Sequence, residues 1–262
     1  MDLGITGKRA LVLGGNRGIG FGIARELACE GVSVCIAARD QVKLDEACGL
    51  LRAAGKGEMR GMPIDLEHVD GLPAFAERVT QEFGPIDILV NNTGGPGYGG
   101  VSQRGFAEWR GHFEDMILSV ITLTDAFVPG MRKRKWGRVL TVISSGVQQP
   151  IPILGVSNTL RGALIGWSKT LSGEVAKDGV TSNLLVPGRI DTERVRKTDE
   201  AVAAKEGISV DQAKARSTAL IPLGRYGDIA EFGALAAFVA SDRASYITGA
   251  TLRCDGGIIR SV

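Results

Sequence analysis

The sequence predicts an α/β protein: a doubly wound parallel sheet of the Rossmann type, helices on both faces, one domain over residues 1–262. Three observations predict it. Short runs of Val, Ile and Leu alternate with longer stretches of helical spacing along the whole chain. The first such run ends in a glycine cluster, GGNRGIG, that opens a helix. No linker, repeat or low-complexity tract divides the chain.

The elements follow in order. ALVLGG (10–15), VSVCIAA (32–38), IDILVNN (86–92), RVLTVIS (138–144) and VTSNLLV (180–186) read as strands, and MRGMPID (59–65) as a weaker one. They are nearly continuous in apolar residues, as strands covered on both faces must be. FGIARELACEG, VKLDEACGLLRAAG and DGLPAFAERVTQEFG lie between them with helical periodicity. So do the long stretches at 109–131 and 159–179. Residues 193–220 are polar, charged and Ala-rich, and read as one or two helices capping a substrate, with a composition that suggests mobility. An amphipathic helix over 228–241 and a final strand in YITGATLRCDGG complete the rhythm. Right-handed crossovers place all strand C-terminal ends on one edge, where ligands bind.

Composition narrows the function classes. The chain has 262 residues, 44% hydrophobic and 23% charged, with a formal charge of +2. That charge is too slight to argue for nucleic acid or an acidic membrane surface. The basic run RKRK at 132–135 fits a solvated helix end, where cations complement the helix dipole. Four cysteines without a CxxC pair, and only His68 and His112, predict neither a metal site nor a disulfide framework. Both histidines read as surface residues on helices. Reduced thiols, and an N-terminus without a signal-like run, point to the cytoplasm. No stretch approaches ~20 uninterrupted apolar residues, so no membrane span is expected.

The glycine cluster, Gly14 to Gly20, has the strand–turn–helix context of a dinucleotide site. Gly14 permits the tight turn, Gly18 lets backbone approach a pyrophosphate, and Gly20 allows close helix–sheet packing. Asn16 and Ile19 complete the loop, and the helix N-terminus offers free N–H groups to phosphate. The second strand ends in alanine followed by Arg39, where a carboxylate would select an unphosphorylated ribose. Arg17 is a second cation nearby. Two guanidiniums suit a ribose phosphate, so NADP(H) is expected over NAD(H).

Taken together, GxxxGxG at Gly14–Gly20, Asp65-Leu66, NNTG at 91–94, Ser145, PGRIDT at 187–192 and YITG…DGG resemble the short-chain dehydrogenase/reductase family. The resemblance covers nearly the whole chain. Its length, spacing and WGRVL…ISS are most similar to β-ketoacyl-acyl-carrier-protein reductases. The resemblance implies that Asp65 and Leu66 contact adenine. It implies that Asn91, Asn92 and Gly94 shape the cofactor floor, and that Pro187, Gly188, Ile190 and Thr192 border the nicotinamide. It also implies a carbonyl or acyl-thioester substrate and a homodimer or homotetramer built on the two long central helices and the C-terminal strand. Leu13 and Thr93 depart from the family pattern, which has threonine and alanine there.

The chemical end departs further. The family works with a serine, a YxxxK pair and an asparagine on the preceding long helix. Only Tyr98, Tyr226 and Tyr246 exist, and none has lysine four residues later. The tyrosine slot holds Ser157, the lysine slot Arg161 and the asparagine slot Met116, while Ser145 keeps its place. Lys169 lies two helical turns too far to substitute. Ser157 and Arg161, at i and i+4, share a helix face. A hydroxyl is a poorer acid than a phenol, and arginine holds oxygens but relays no proton. Ser145 and Arg161 are therefore expected to steady an oxyanion and hold ribose. The proton would come from Tyr98, water or a substrate hydroxyl. Three functions fit: an NADP(H)-dependent carbonyl reductase with an atypical site, a catalytically silent cofactor-binding homologue, and a lyase or isomerase on the same fold.

Overall fold

Among the residues described by the computed structural model, 1–102 and 104–261, seven strands form one parallel sheet in the order β3-β2-β1-β4-β5-β6-β7. The strands are β1 (Arg9–Leu13), β2 (Ser33–Ala38), β3 (Met59–Pro63), β4 (Ile88–Asn91), β5 (Gly137–Val142), β6 (Val180–Pro187) and β7 (Thr251–Cys254). The helices between them are α1 (Gly18–Cys29), α2 (Gln41–Ala54), α3 (Leu72–Glu82), α4 (Phe106–Phe113), α5 (Ser119–Arg134) and α6 (Gly155–Val175). After β6 come α7 (Glu193–Glu206), α8 (Val210–Ala219) and α9 (Ile229–Val239). No described helix is long and apolar enough to cross a membrane.

The apolar runs are continuous because alternate residues feed two cores. Ala10 and Val12 of β1 pack with α1, α2 and α9 on one face, through Ile23, Leu27, Leu44, Leu51 and Phe232. Leu11 and Leu13 pack with α3, α5 and α6 on the other, through Leu72, Val79, Leu123, Phe127 and Leu171. Period-two side-chain alternation across a doubly covered sheet dictates this split. The strand order reverses between β1 and β4, and that switch point opens the crevice above the strand tips.

Four expectations change in the structure. The helix expected over 109–131 is interrupted: Glu114–Leu118 form a π-helical turn between α4 and α5. Such turns insert one residue into the ladder and cluster at functional sites, and this one carries Met116. His68 stands before the 3-10 turn Val69–Gly71 rather than on a helix. The basic run is paired as well as solvated: Arg132 and Lys135 both bond Asp178, and Arg134 bonds Asp87. Finally, 193–220 is a built unit. Thr192 caps α7, and Ser209 with Gln212 forms a capping box on α8. The Tyr226 hydroxyl donates to both carboxylate oxygens of Asp199, at 2.8 and 2.9 Å, with both residues buried.

Candidate active site

The cradle after β1 is made by backbone fit. Gly14 adopts φ +60°, and a Cβ there would stand 2.8 Å from the Asn92 carbonyl oxygen. A Cβ on Gly20 would stand 2.2 Å from the Gly14 carbonyl. Only glycine closes this turn against α1. Asn92 stitches it to the next strand, donating from Nδ2 to the Leu13 carbonyl at 3.1 Å. Gly18, at φ +55°, faces the Thr192 methyl across the groove. Gly94, by contrast, has open space where a side chain would go. Asn16 is half-buried, and Ile19 packs on the core beneath the loop.

Arg17 and Arg39 stand exposed at the tips of neighbouring strands. Arg17 pairs with Glu193 of α7 at 2.8 Å, and Arg39 approaches Glu67 at 3.6 Å. Both pairs are solvent-exposed, so neither holds its arginine strongly. The carboxylate nearest in sequence, Asp40, is engaged in capping α2 through the Lys43 N–H. No acid thus occupies the end of β2. Asp65 closes the turn after β3, accepting from the Glu67 N–H at 3.2 Å, and Leu66 packs on the sheet core. Asn91 is buried beneath the groove. Its Nδ2 donates to Thr124 and Thr141, while its Oδ1 is buried without a partner among the described residues. Pro187 ends β6, and Gly188 backs onto Asp255 so closely that a Cβ would meet its Cα at 2.5 Å. Ile190 is buried and bridges to Gly227, which ties this loop to the base of α9. These residues fit a dinucleotide: a glycine cradle at a helix N-terminus, a floor of asparagines and a ribose corner with two exposed cations whose carboxylate partners are themselves exposed.

The chemical end has a different construction. Ser145 begins the 3-10 turn after β5, and Ser157 lies in the first turn of α6. Neither hydroxyl has a hydrogen-bond partner among the described residues, so both are free to donate to a ligand. Ser157 and Arg161 share a face as their spacing requires, and that face is buried. Arg161 turns its guanidinium into the ends of β4 and β5. Nη1 donates to the Val142 carbonyl at 2.8 Å, and Nη2 to the Gly94 carbonyl at 2.7 Å and the Thr93 carbonyl at 3.2 Å. The Thr93 hydroxyl adds a longer contact at 3.4 Å. Burial, joined by the charge of Arg194, lowers its pKa to about 10, against the pull of Asp115. It therefore remains a cation at neutral pH, with most of its donors committed to backbone oxygens.

Asp115 and Asn158 carry no motif in the sequence, while Met116, Tyr98 and Lys169 are marked by their positions. Asp115, in the π-helical turn, is the acid whose charge acts on Arg161. Burial, reinforced by Glu67, raises its own pKa, while Arg161 and His112 act against the rise. Met116 beside it is fully buried. Asn158 donates to the Ile151 carbonyl at 2.9 Å, and its Oδ1 sits 2.1 Å from where a Gly146 Cβ would be. Gly146 thereby lets α6 press against the turn that carries Ser145. Tyr98, half-exposed, has its hydroxyl bonded to Thr198 of α7. Lys169 reaches the Gly249 carbonyl instead of the groove.

The comparisons with known proteins agree with this fold. A sequence model of the family described as enoyl-(acyl carrier protein) reductase matches residues 14–259. The 3-oxoacyl-(acyl-carrier-protein) reductase FabG of Salmonella typhimurium is 36% identical over 260 residues, covering 98% of this chain and 99% of that one. The chain belongs to the short-chain dehydrogenase/reductase family. Among solved members of this fold, the L-sorbose reductase of Gluconobacter frateurii, complexed with NADPH and L-sorbose, superposes with a TM-score of 0.95. It is 30% identical, with 100% of each chain covered. An actinorhodin polyketide ketoreductase with NADPH gives a TM-score of 0.91 at 30% identity, over 97% of this chain and 98% of that one.

Proposed function

We propose that the protein is an NADPH-dependent reductase of carbonyl compounds, working with an atypical set of residues. The observation that carries the reading is the glycine cradle at Gly14–Gly20 together with the Ser145 and Ser157 hydroxyls, which have no hydrogen-bond partner among the described residues. The NADPH-bound reductases of the same fold support it. Gly14, Asn16, Gly18, Ile19 and Gly20 would hold the pyrophosphate. Arg17 and Arg39 would hold the ribose phosphate once released from their exposed carboxylates. Asp65, Leu66, Asn91, Asn92 and Gly94 would line adenine and the floor. Pro187, Gly188, Ile190 and Thr192 would border the nicotinamide.

When bound, NADPH supplies the hydride. The chain supplies the rest. The hydroxyls of Ser145 and Ser157 donate to the carbonyl oxygen, and the buried charge of Arg161 lies behind them as a fixed field for the developing oxyanion. Arg161 also sets the positions of the β4 and β5 tips. No side chain in this set is a good acid at neutral pH, so the proton arrives from water or from a hydroxyl of the substrate. Losing a positioned acid costs ~10²–10⁴-fold, which predicts a slow or specialised enzyme. Self-association through α5 and α6 belongs to the same proposal and is read by light scattering.

Turnover of a panel of ketones, β-ketoacyl thioesters and quinones, followed at the cofactor absorbance, tests the reading. Consumption of NADPH with at least one class is expected, and Ser145→Ala should lower kcat/KM for it by roughly tenfold or more. Cofactor binding without turnover across the panel would favour a silent cofactor-binding protein. One observation supports that second reading: the arginine in the lysine slot spends its donors on the backbone.

A further inference from the structure

Two guanidiniums converge on one loop. Arg161, from below, donates to the carbonyl of Gly94 at 2.7 Å. Arg194, from the first turn of α7, donates to the next two carbonyls, Gly95 at 3.2 Å and Pro96 at 3.1 Å. A Cβ on Gly95 would stand 2.6 Å from Arg194 Nη1, so the side chain lies flat against that peptide. Among the described residues, neither arginine forms an ion pair. Their charges act on each other strongly enough to help lower the pKa of Arg161. Like charges held together in this way favour an anion between or beside them.

The neighbouring groups sharpen the choice. Glu193, the acid next to Arg194, turns the opposite way, to Arg17 and Lys197. Arg194 thus faces the Gly95–Tyr98 side and stacks near the Tyr98 ring at 6.0 Å. The glycine cradle with its helix N-terminus is a separate anion site on the other wall. Two of the five N–H donors of Arg194 are used, which leaves three for a ligand.

We propose that Arg194, backed by the buried charge of Arg161, binds a substrate carboxylate, and that the substrate class is a 2-oxo acid whose carbonyl meets Ser145 and Ser157. This rests on the reductase reading and narrows it. Reduction there gives a 2-hydroxy acid: the carbonyl carbon gains the hydride of NADPH, and its oxygen gains a proton from water.

The same anion chemistry is offered by the pyrophosphate of the cofactor, and the experiment separates the two. Pyruvate, phenylpyruvate and their methyl esters are titrated calorimetrically into the NADP⁺ complex and into the free protein. At least one acid should bind roughly ten- to a hundredfold tighter than its ester, the scale of a charge-assisted bond. Arg194→Met should bring the acid to the level of the ester while NADPH affinity changes by less than about twofold. Equal binding of acid and ester, absence of acid binding at millimolar concentration, or an Arg194→Met variant that loses NADPH as much as acid overturns the proposal. A protein that prefers acids but never binds NADPH contradicts the reductase reading alone. One that binds NADPH without preferring acids contradicts the carboxylate site alone.

Discussion

The two walls of the crevice hold their ligand-facing groups in opposite ways. The wall after β1 is backbone: glycines so close to their neighbours that a methyl group at Gly20 would overlap the Gly14 carbonyl. The wall between β5 and α6 is side chain: a buried guanidinium whose bonds run to three carbonyls on two strand tips. The first wall leaves no room for a side chain at Gly14 or Gly20, because the backbone itself fills that space. The second depends on one side chain, because the Arg161 guanidinium ties the tips of β4 and β5 together.

That contrast can be broken most directly at Arg161. Arg161→Ala removes the donors of the Val142, Thr93 and Gly94 carbonyls in a buried place. Leaving such groups unpaired costs ~1–3 kcal/mol each, offset in part by relief of a buried charge. Urea unfolding should show a loss of about 3 kcal/mol, and a loss near zero would mean that the guanidinium ties nothing. On the opposite wall, Gly20→Ala should act on folding and on binding together. Overpacking against the Gly14 carbonyl costs ~1–3 kcal/mol of stability, and the displaced turn should also weaken NADPH by roughly tenfold or more in a fluorescence titration, which Arg161→Ala should not. Equal damage to stability and affinity from both variants would erase the distinction between the walls.

Smaller effects sharpen it. Tyr226→Phe strips the buried Asp199 carboxylate of its phenol donor and should cost about 1.5–2 kcal/mol. Because that bond docks the α7–α8 unit, KM for substrate should rise more than Kd for NADPH, as steady-state kinetics and titration would show. The smallest effect concerns acid. Arg225, with the Asp228 backbone N–H, holds the Glu231 carboxyl at about 2, below its ordinary 4.5. A depressed folded-state pKa contributes stability above pH 4.5 that is lost as pH falls toward 2. Glu231→Gln should flatten the stability–pH profile in that window, and an unchanged profile would count against the pair.

Sequence periodicity exposed the sheet because each strand is apolar on both faces, which only a doubly covered parallel sheet demands. The glycine cradle was legible for a related reason: its spacing, strand context and function are all local. Arg161 was placed by counting along α6, yet its acceptors lie 19 residues away at Val142 and 67 to 68 residues away at Gly94 and Thr93. Carbonyl oxygens carry no residue identity, so no motif could announce them. Thr93 acquires a role only in the fold, where its hydroxyl lies beside Arg161. Arg194 was invisible for the same cause, with partners 98 and 99 residues distant. The π-helical turn at Glu114–Leu118 was hidden because its residues keep helical spacing on both sides.

The central claim is that this crevice takes a phosphorylated nicotinamide dinucleotide. Equilibrium titration of the protein with NADPH and with NADH, followed by cofactor fluorescence, tests it most directly. A guanidinium bond to phosphate is worth ~1.5–3 kcal/mol, so NADPH should bind at least roughly tenfold tighter than NADH. Equal affinities, or binding of neither, would contradict it.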